Sequence, residues 1–357
     1  MKYLGRWGKV WVSFLVGVAI TTAAYGEGKV YTWKLATTWG PTLTPFIDAP
    51  QRLSAMVSKM SKGRLVIEVV ASNKHKKPFN ILEMVQAGEY DMGHTAAYYW
   101  AKKDTALMPL TTMPFGMTAP EQYAWFYEGG GMALMAEAYQ KFGVRSFPGG
   151  NTGNQMGGWF KKEINSIEDL KGLKMRIPGF AGKIMAELGV KVTNLPPGKL
   201  SKALESGELE ALEWVGPGMD IKFGFHKTAP YYYAGWHEPA TELQYLVNTE
   251  KYQALPEDLQ EILRVAMRVT AYDMYIQLYH MHAVAWAKIK KEYPHIVIKS
   301  FPMSIMDTMR ETNDKLLAEL SAKNPMLKKI LDSQKSYLKQ ARDWTKISDF
   351  LYLVESL

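Results

Sequence analysis

The sequence predicts an α/β protein built on two sheets and crossed by one long helix. Three observations predict it. Short apolar strands alternate with helical stretches from residue 30 onward, the rhythm of parallel strands joined by crossover helices. That rhythm resumes after a Gly- and Asn-rich stretch at 143–162, as expected where a chain passes from one sheet to another. Helical periodicity then runs through 255–294. About 35 residues at 1.5 Å each reach roughly 50 Å, more than the width of one small domain.

The elements follow in order. "VYTWKLATTWGP" (30–41) reads as a strand running into a Gly-Pro turn, and 44–62 carries apolar residues at helical spacing. "GRLVIEVV" (63–70) is a second strand. "FNILEMVQAGEYDMGHT" (79–95) reads as a helix, a stop at Gly88 and a short strand. Helices are predicted near 119–128 and 130–142, with "EGGGM" as the break between them. In "GVRSFPGGNTGNQMGGWFKK" two strands flank a loop dense in Gly and Asn. "LKMRI" (173–177) precedes a helix started by Pro178 and stopped by Gly189, the usual asymmetry of helix ends. The unit repeats through "KLSKALESGELEALEWVGP", so 173–177 and 210–214 are expected as parallel neighbours in a second sheet. "ELQYLVN" (242–248) reads as a strand returning to the first sheet, and 295–299 as a last strand before the C-terminal helices.

Residues 1–26 do not belong to this pattern. Lys2, Arg6 and Lys9 precede the apolar run "VWVSFLVGVAI", and "TTAAYG" supplies small residues for cleavage after Ala24 or Gly26. This is the layout of a secretory signal peptide, and it predicts export to the periplasm. Cleavage removes three of the residues behind the formal charge of +8. The remaining excess is small and shows no basic stripe interleaved with aromatics, so nucleic acid is not an expected partner. "NKHKKPF" (73–79) is the one dense basic cluster. The chain has no cysteine, which excludes a thiol nucleophile, a thiolate metal site and an N-terminal lipid anchor.

Chemistry in an open α/β sheet belongs at the carboxyl ends of parallel strands. Arg176 ends "LKMRI" and Glu213 ends "EALEW". An Arg fork suits a carboxylate in bidentate geometry; equally, Arg176 and Glu213 are placed to pair with each other. Gln155, Asn151 and Asn154 put amides on the Gly-loosened loop. Their oxygens, with carboxylates and backbone carbonyls, are the hard ligands of Na⁺ or Ca²⁺, or else they satisfy the loop itself. The histidines are isolated, and His280 and His282 fall on different sides of their helix. No G-x-S-x-G, H-E-x-x-H or phosphate loop occurs, so no enzyme and no organic cofactor is expected. Trp39, Trp214 and the clusters "AAYYW" and "YYYAGW" are expected mostly in the core, with some walling a cleft.

Taken together and in order, "EYDMGHTAAYYW", "YEGGGM", "GNTGNQMGGWF", "EDLKGLKMRIPGFAGKIMAELG", "ALESGELEALEWVGP" and "APYYYAGWHE" resemble the solute receptors of tripartite ATP-independent periplasmic (TRAP) transporters. The subgroup is the one that binds 2-oxo or 2-hydroxy monocarboxylates with a cation. The likeness runs from about residue 30 to 290. It implies a two-lobed periplasmic-binding-protein fold, type II-like, with the long helix spanning both lobes. Lobe I would comprise 27–150 and about 239–265. Lobe II would comprise 151–238 and about 266–320, with 321–357 as a C-terminal helical extension. It implies a receptor without catalysis that delivers a small organic acid to a membrane permease driven by an ion gradient.

Position by position, the resemblance implies Arg176 on the substrate carboxylate and Gln155 on both substrate and cation. Glu213, the carbonyl of Trp214 and Glu238 would complete the cation's ligands, while strand alternation through 209–214 turns the Trp214 ring to the opposite face. Tyr98 and Asn151 would touch substrate oxygens. It also suggests a homodimer through the C-terminal helices. "NKHKKPF", "ATTWGP" and "HEPATE" depart from the subgroup's usual sequence, which leaves room for another carboxylate, a dicarboxylate or an aromatic acid. A periplasmic enzyme or a sensor on the same fold are the readings from other classes.

Overall fold

The structure, a computed structural model, describes residues 29–356; the predicted signal peptide lies outside them. In chain order the strands are β1 (Tyr31–Thr37), β2 (Leu65–Val70), β3 (Met92–Thr95), β4 (Val144–Asn151), β5 (Gly158–Phe160), β6 (Lys174–Arg176), β7 (Lys191–Thr193), β8 (Ala211–Leu212), β9 (Tyr231–Tyr233), β10 (Glu242–Asn248) and β11 (Val297–Lys299). One sheet has the order β2-β1-β3-β10-β4, the other β11-β9-β5-β8-β6-β7. β1 is parallel to β2 and β3, while β10 runs antiparallel between β3 and β4. In the second sheet β6 is parallel to both β7 and β8, the neighbour relation the repeated strand-helix unit predicts.

Three connections join the sheets. The chain leaves β4 and enters β5 through 152–157, and it returns from β9 to β10 through 234–241. These two crossovers are bonded to each other: Thr152 N donates to the Thr241 carbonyl at 3.1 Å and Gln155 N to the Glu238 carbonyl at 2.9 Å. The third connection is the helix Glu257–Glu292. Its 36 residues span about 54 Å. Leu259 and Leu263 pack against Leu35 and Tyr245 under the first sheet. Leu278 and Ile289 join a core that contains Trp39, just beyond β1, and Leu243 from the first sheet beside Trp159 and Leu212 from the second. One core shared by both sheets means that the cleft between them is closed.

Beyond β11 the chain forms helices Met303–Lys323 and Pro325–Thr345. Ile305 and Met309 of the first pack with Met175 and Ile184 under the second sheet. Leu327 and Ile330 of the second pack with Trp125 and Leu246 under the first. Asn324, between them, accepts from the Met326 and Leu327 amides and donates to Asp104. The stretch read from sequence as an extension therefore begins with a helix built into the body. Within that stretch, a row of apolar side chains lies exposed from Trp344 onward. Among the described residues no helix is long and apolar enough to cross a membrane.

Candidate functional site: a closed cleft between the sheets

Arg176 is the last residue of β6, and Glu213 lies one residue beyond the short strand β8. Parallel register puts Arg176 opposite Leu212, and the Glu213 amide donates to the Arg176 carbonyl at 2.9 Å. The two side chains consequently meet. Nη1 of Arg176 donates to Oε2 of Glu213 at 3.0 Å and also to the Glu213 backbone carbonyl. Arg176 is 2% exposed and Glu213 fully buried. The turn after Trp214 is held by Asp220, whose carboxylate accepts from the Val215 and Gly216 amides, the Trp159 indole and the Tyr232 hydroxyl. Those donors fix the backbone that presents the Trp214 carbonyl.

The crossovers supply the facing groups. Nε2 of Gln155 donates to Thr152 Oγ1 and Thr241 Oγ1, each at 3.0 Å, and Thr241 Oγ1 donates to Oε2 of Glu238 at 2.5 Å. That leaves Oε1 of Gln155, Oε1 of Glu213 and Oε1 of Glu238 buried with no hydrogen-bond partner among the described residues. His237 Nε2 lies 3.5 Å from Glu213 Oε1. Burial holds His237 neutral, pushing its pKa down to about 4.

Burial likewise pushes Glu213 up to about 8, with Arg176 pulling the other way, and Glu238 up to about 7, with the Glu213 charge adding to the rise. Buried acceptors without donors are rare and call for a cause. Two carboxylate oxygens and one amide oxygen are the donor set of a hard cation, and they fit Na⁺ or Ca²⁺. Among the described residues no three His, Asp or Glu side chains gather as a metal site, so a cation here would need neutral oxygens as well as carboxylates.

A small cavity, about 20 Å³, adjoins these groups, lined by Arg176, Gln155, Tyr98, Trp214 and aromatic neighbours. Tyr98 comes from the first sheet's side and touches the other: a Cβ on Gly179 would lie 3.6 Å from the Tyr98 ring and 3.8 Å from Glu238 Oε1. Gly179 has φ +67°, a left-handed conformation that favours glycine at this close approach.

Two expectations need correction. The Trp214 ring is not turned away from the cleft: it lines the cavity, with the Arg176 guanidinium 5.4 Å from its centroid. β8 ends at Leu212, so strand alternation no longer governs residues 213 and 214. Asn151 does not line the cavity. Its amide donates to Gln122 and Glu242, and its oxygen accepts from the Gly153 amide, so it belongs to a buried network behind β4. Sequence reading missed Thr152, Thr241, Phe46 and Leu243, which also line the cavity beside Tyr99 of "AAYYW". Threonines in loops and apolar residues in strands or turns carry no signal of their own; only folding puts them at one place.

Residues 35–324 match the family model described as bacterial extracellular solute-binding protein, family 7. The chain belongs to this family. A curated relative of this solute-binding protein is the monocarboxylate 2-oxoacid-binding periplasmic protein of Nostoc sp., 39% identical over 321 residues, 90% of this chain and 87% of the relative. Two crystal structures of TRAP periplasmic solute-binding proteins are each 56% identical and cover 92% of this chain and 100% of their own. The one from Colwellia psychrerythraea, with bound calcium and pyruvate, superposes with a TM-score of 0.91. The one from Pseudoalteromonas atlantica, with bound sodium and pyruvate, gives 0.90. A 31% identical protein from Bordetella bronchiseptica, a dimer with copurified calcium and picolinate, covers 92% of this chain and 97% of its own at 0.88. The family is one of substrate-binding receptors, and the two-lobed TRAP receptor fold expected from sequence is the fold observed.

Proposed function

We propose that this solute-binding protein captures a 2-oxo or 2-hydroxy monocarboxylate together with Na⁺ or Ca²⁺ and delivers it to a TRAP permease in the membrane. The observation that carries the reading is the trio of buried, unpartnered oxygens, Gln155 Oε1, Glu213 Oε1 and Glu238 Oε1, beside a buried arginine whose Nε also lacks a partner. Gln155, Glu213, Glu238 and the Trp214 carbonyl would hold the cation. Arg176 would take the acid's carboxylate, with Tyr98 and Gln155 toward its remaining oxygens. A bound cation offsets the cost of two buried carboxylates, and with Arg176 it flanks an anionic ligand with positive charge. The pyruvate, calcium and sodium of the 56% identical structures support the same ligand class.

The test is native mass spectrometry of protein purified without added ligand, followed by calorimetric titration of stripped protein with pyruvate in Na⁺ and in Ca²⁺. Retained acid and cation, or cation-dependent binding of pyruvate, is the expected result. Binding indifferent to cation overturns the cation-bridged site.

The N-terminal signal layout supports export, and N-terminal sequencing of the mature protein locates the cleavage after Ala24 or Gly26. The exposed apolar row at the C-terminus, with Trp344, Ile347, Phe350 and Tyr352 each at least 60% exposed, supports a homodimer through that segment.

A further inference from the structure

The cleft has a far end. From the Arg176 guanidinium an aromatic wall leads away: the Trp214 ring at 5.4 Å, Phe46 stacked on Trp214 at 6.2 Å, then Trp39 edge-on to Phe46 at 4.8 Å. All four residues line the cavity. An acid gripped by Arg176 would extend its carbon chain along this wall toward Trp39.

Trp39 is fixed on every side. Its indole Nε1 donates to His94 Nδ1 at 2.9 Å, and His94 Nε2 lies 2.8 Å from the Gly149 carbonyl. That pair of bonds requires the neutral imidazole with its hydrogen on Nε2, which burial favours by pushing the pKa down to about 4. The Trp39 carbonyl accepts from Thr37 Oγ1 and from the Ser72 amide, each at 2.9 Å. His75 Nε2 lies 2.8 Å from the Thr37 carbonyl. The stretches "ATTWGP" and "NKHKKPF" are thus bonded to each other. At its other end this loop sets Phe79 against Tyr99 at 4.8 Å, and Tyr99 lines the cavity. The basic loop braces the wall from outside rather than facing the ligand.

We propose that Trp39, braced by His94 and by the loop 72–79, is an end stop that limits the acid's carbon chain, so that the site accepts pyruvate and 2-oxobutyrate and turns away longer or branched 2-oxo acids. This rests on reading the cleft as the acid site. The reason is physical. Moving Trp39 aside would leave His94 Nδ1 buried and unpaired, which costs more than burying another methylene returns.

The test is calorimetric titration with pyruvate, 2-oxobutyrate, 2-oxovalerate and 4-methyl-2-oxovalerate at saturating Ca²⁺, for the wild type, Trp39→Leu, Trp39→Phe and Phe79→Ala. In the wild type, affinity should fall by about tenfold or more between 2-oxobutyrate and 2-oxovalerate, the usual worth of a methylene that a pocket excludes. Trp39→Leu should flatten or reverse that step while pyruvate weakens. Trp39→Phe, the milder change should the first variant fail to fold, and Phe79→Ala should move the profile the same way by less. A wild-type profile independent of chain length, or one unchanged in the folded Trp39 variants, overturns the end stop. A wild type that binds no 2-oxo acid with any cation instead removes the acid-site reading, and the end stop with it.

Discussion

In the closed cleft Arg176 is bonded to Glu213 twice, through the carboxylate oxygen Oε2 at 3.0 Å and through the Glu213 backbone carbonyl. Only Oε1 of Glu213 faces away from the guanidinium without a hydrogen bond. The pairing and the cation reading, alternatives at the level of sequence, are therefore compatible: one carboxylate has an oxygen for each. What separates them is the consequence of removing the charge.

Glu213→Gln keeps size and an oxygen but removes the attraction for a cation. Metal content should fall, and acid affinity should fall with it by about 2 kcal/mol, the scale of losing one member of a buried charged pair. Elemental analysis beside a calorimetric titration reads both. Were Glu213 only a partner for Arg176, freeing the guanidinium would leave metal unchanged and acid binding equal or stronger, and that pattern sinks the cation role.

Arg176→Lys keeps a positive charge beside Glu213 but loses the planar fork. Nη1 now serves two acceptors, and a lysine ammonium at the end of a narrower stem does not reproduce that geometry. Acid affinity should weaken by about 2–3 kcal/mol, while the circular dichroism spectrum stays that of the wild type. Unchanged affinity removes Arg176 from the site.

The buried carboxylates make the benefit of a cation depend on pH. Burial pushes Glu213 up to about 8 and Glu238 up to about 7, whereas in the unfolded chain both ionise near about 4.3. Between those values the ligand-free folded protein holds protons that the unfolded chain has released, so its stability falls as pH rises through the window. A cation held by the same carboxylates cancels that cost. The rise in Tm produced by Ca²⁺ should be larger at about pH 8 than at about pH 6. Differential scanning calorimetry at the two pH values checks it, and an equal rise counts against carboxylate ligation.

The exposed C-terminal row gives a prediction about assembly. Phe350 is 60% and Leu353 is 53% exposed, and nothing in this chain covers them among the described residues. Charging both, as Phe350→Glu with Leu353→Glu, should convert a dimer to a monomer in sedimentation equilibrium with the fold intact. A wild type already monomeric at high concentration counts against the dimer.

Much of this molecule was legible in one dimension. Strand and helix follow from periodicity, so "ELQYLVN" and the strand Glu242–Asn248 coincide, and the long helix predicted over 255–294 spans Glu257–Glu292. Arg176 and Glu213 were legible because two copies of one strand-helix unit put charged residues at equivalent ends, and parallel pairing then makes them neighbours. Gln155 stood out as an amide on a Gly- and Asn-rich loop, but its choice over Asn154, and Glu238 altogether, came only through resemblance, since nothing local distinguishes an amide or a carboxylate that will face a cleft.

Tertiary structure alone decided what each atom of the site faces. It bonded the two crossovers together, so that Thr241 orders both Gln155 and Glu238 and leaves one oxygen of each free. It turned the Trp214 ring into the cleft and spent Asn151 on Gln122 and Glu242. It also tied two stretches far apart in sequence, Trp39 and the loop after Ala71, into one wall. Periodicity records which side of an element is buried. It does not record which partner waits there, because that depends on contacts between residues far apart in the chain.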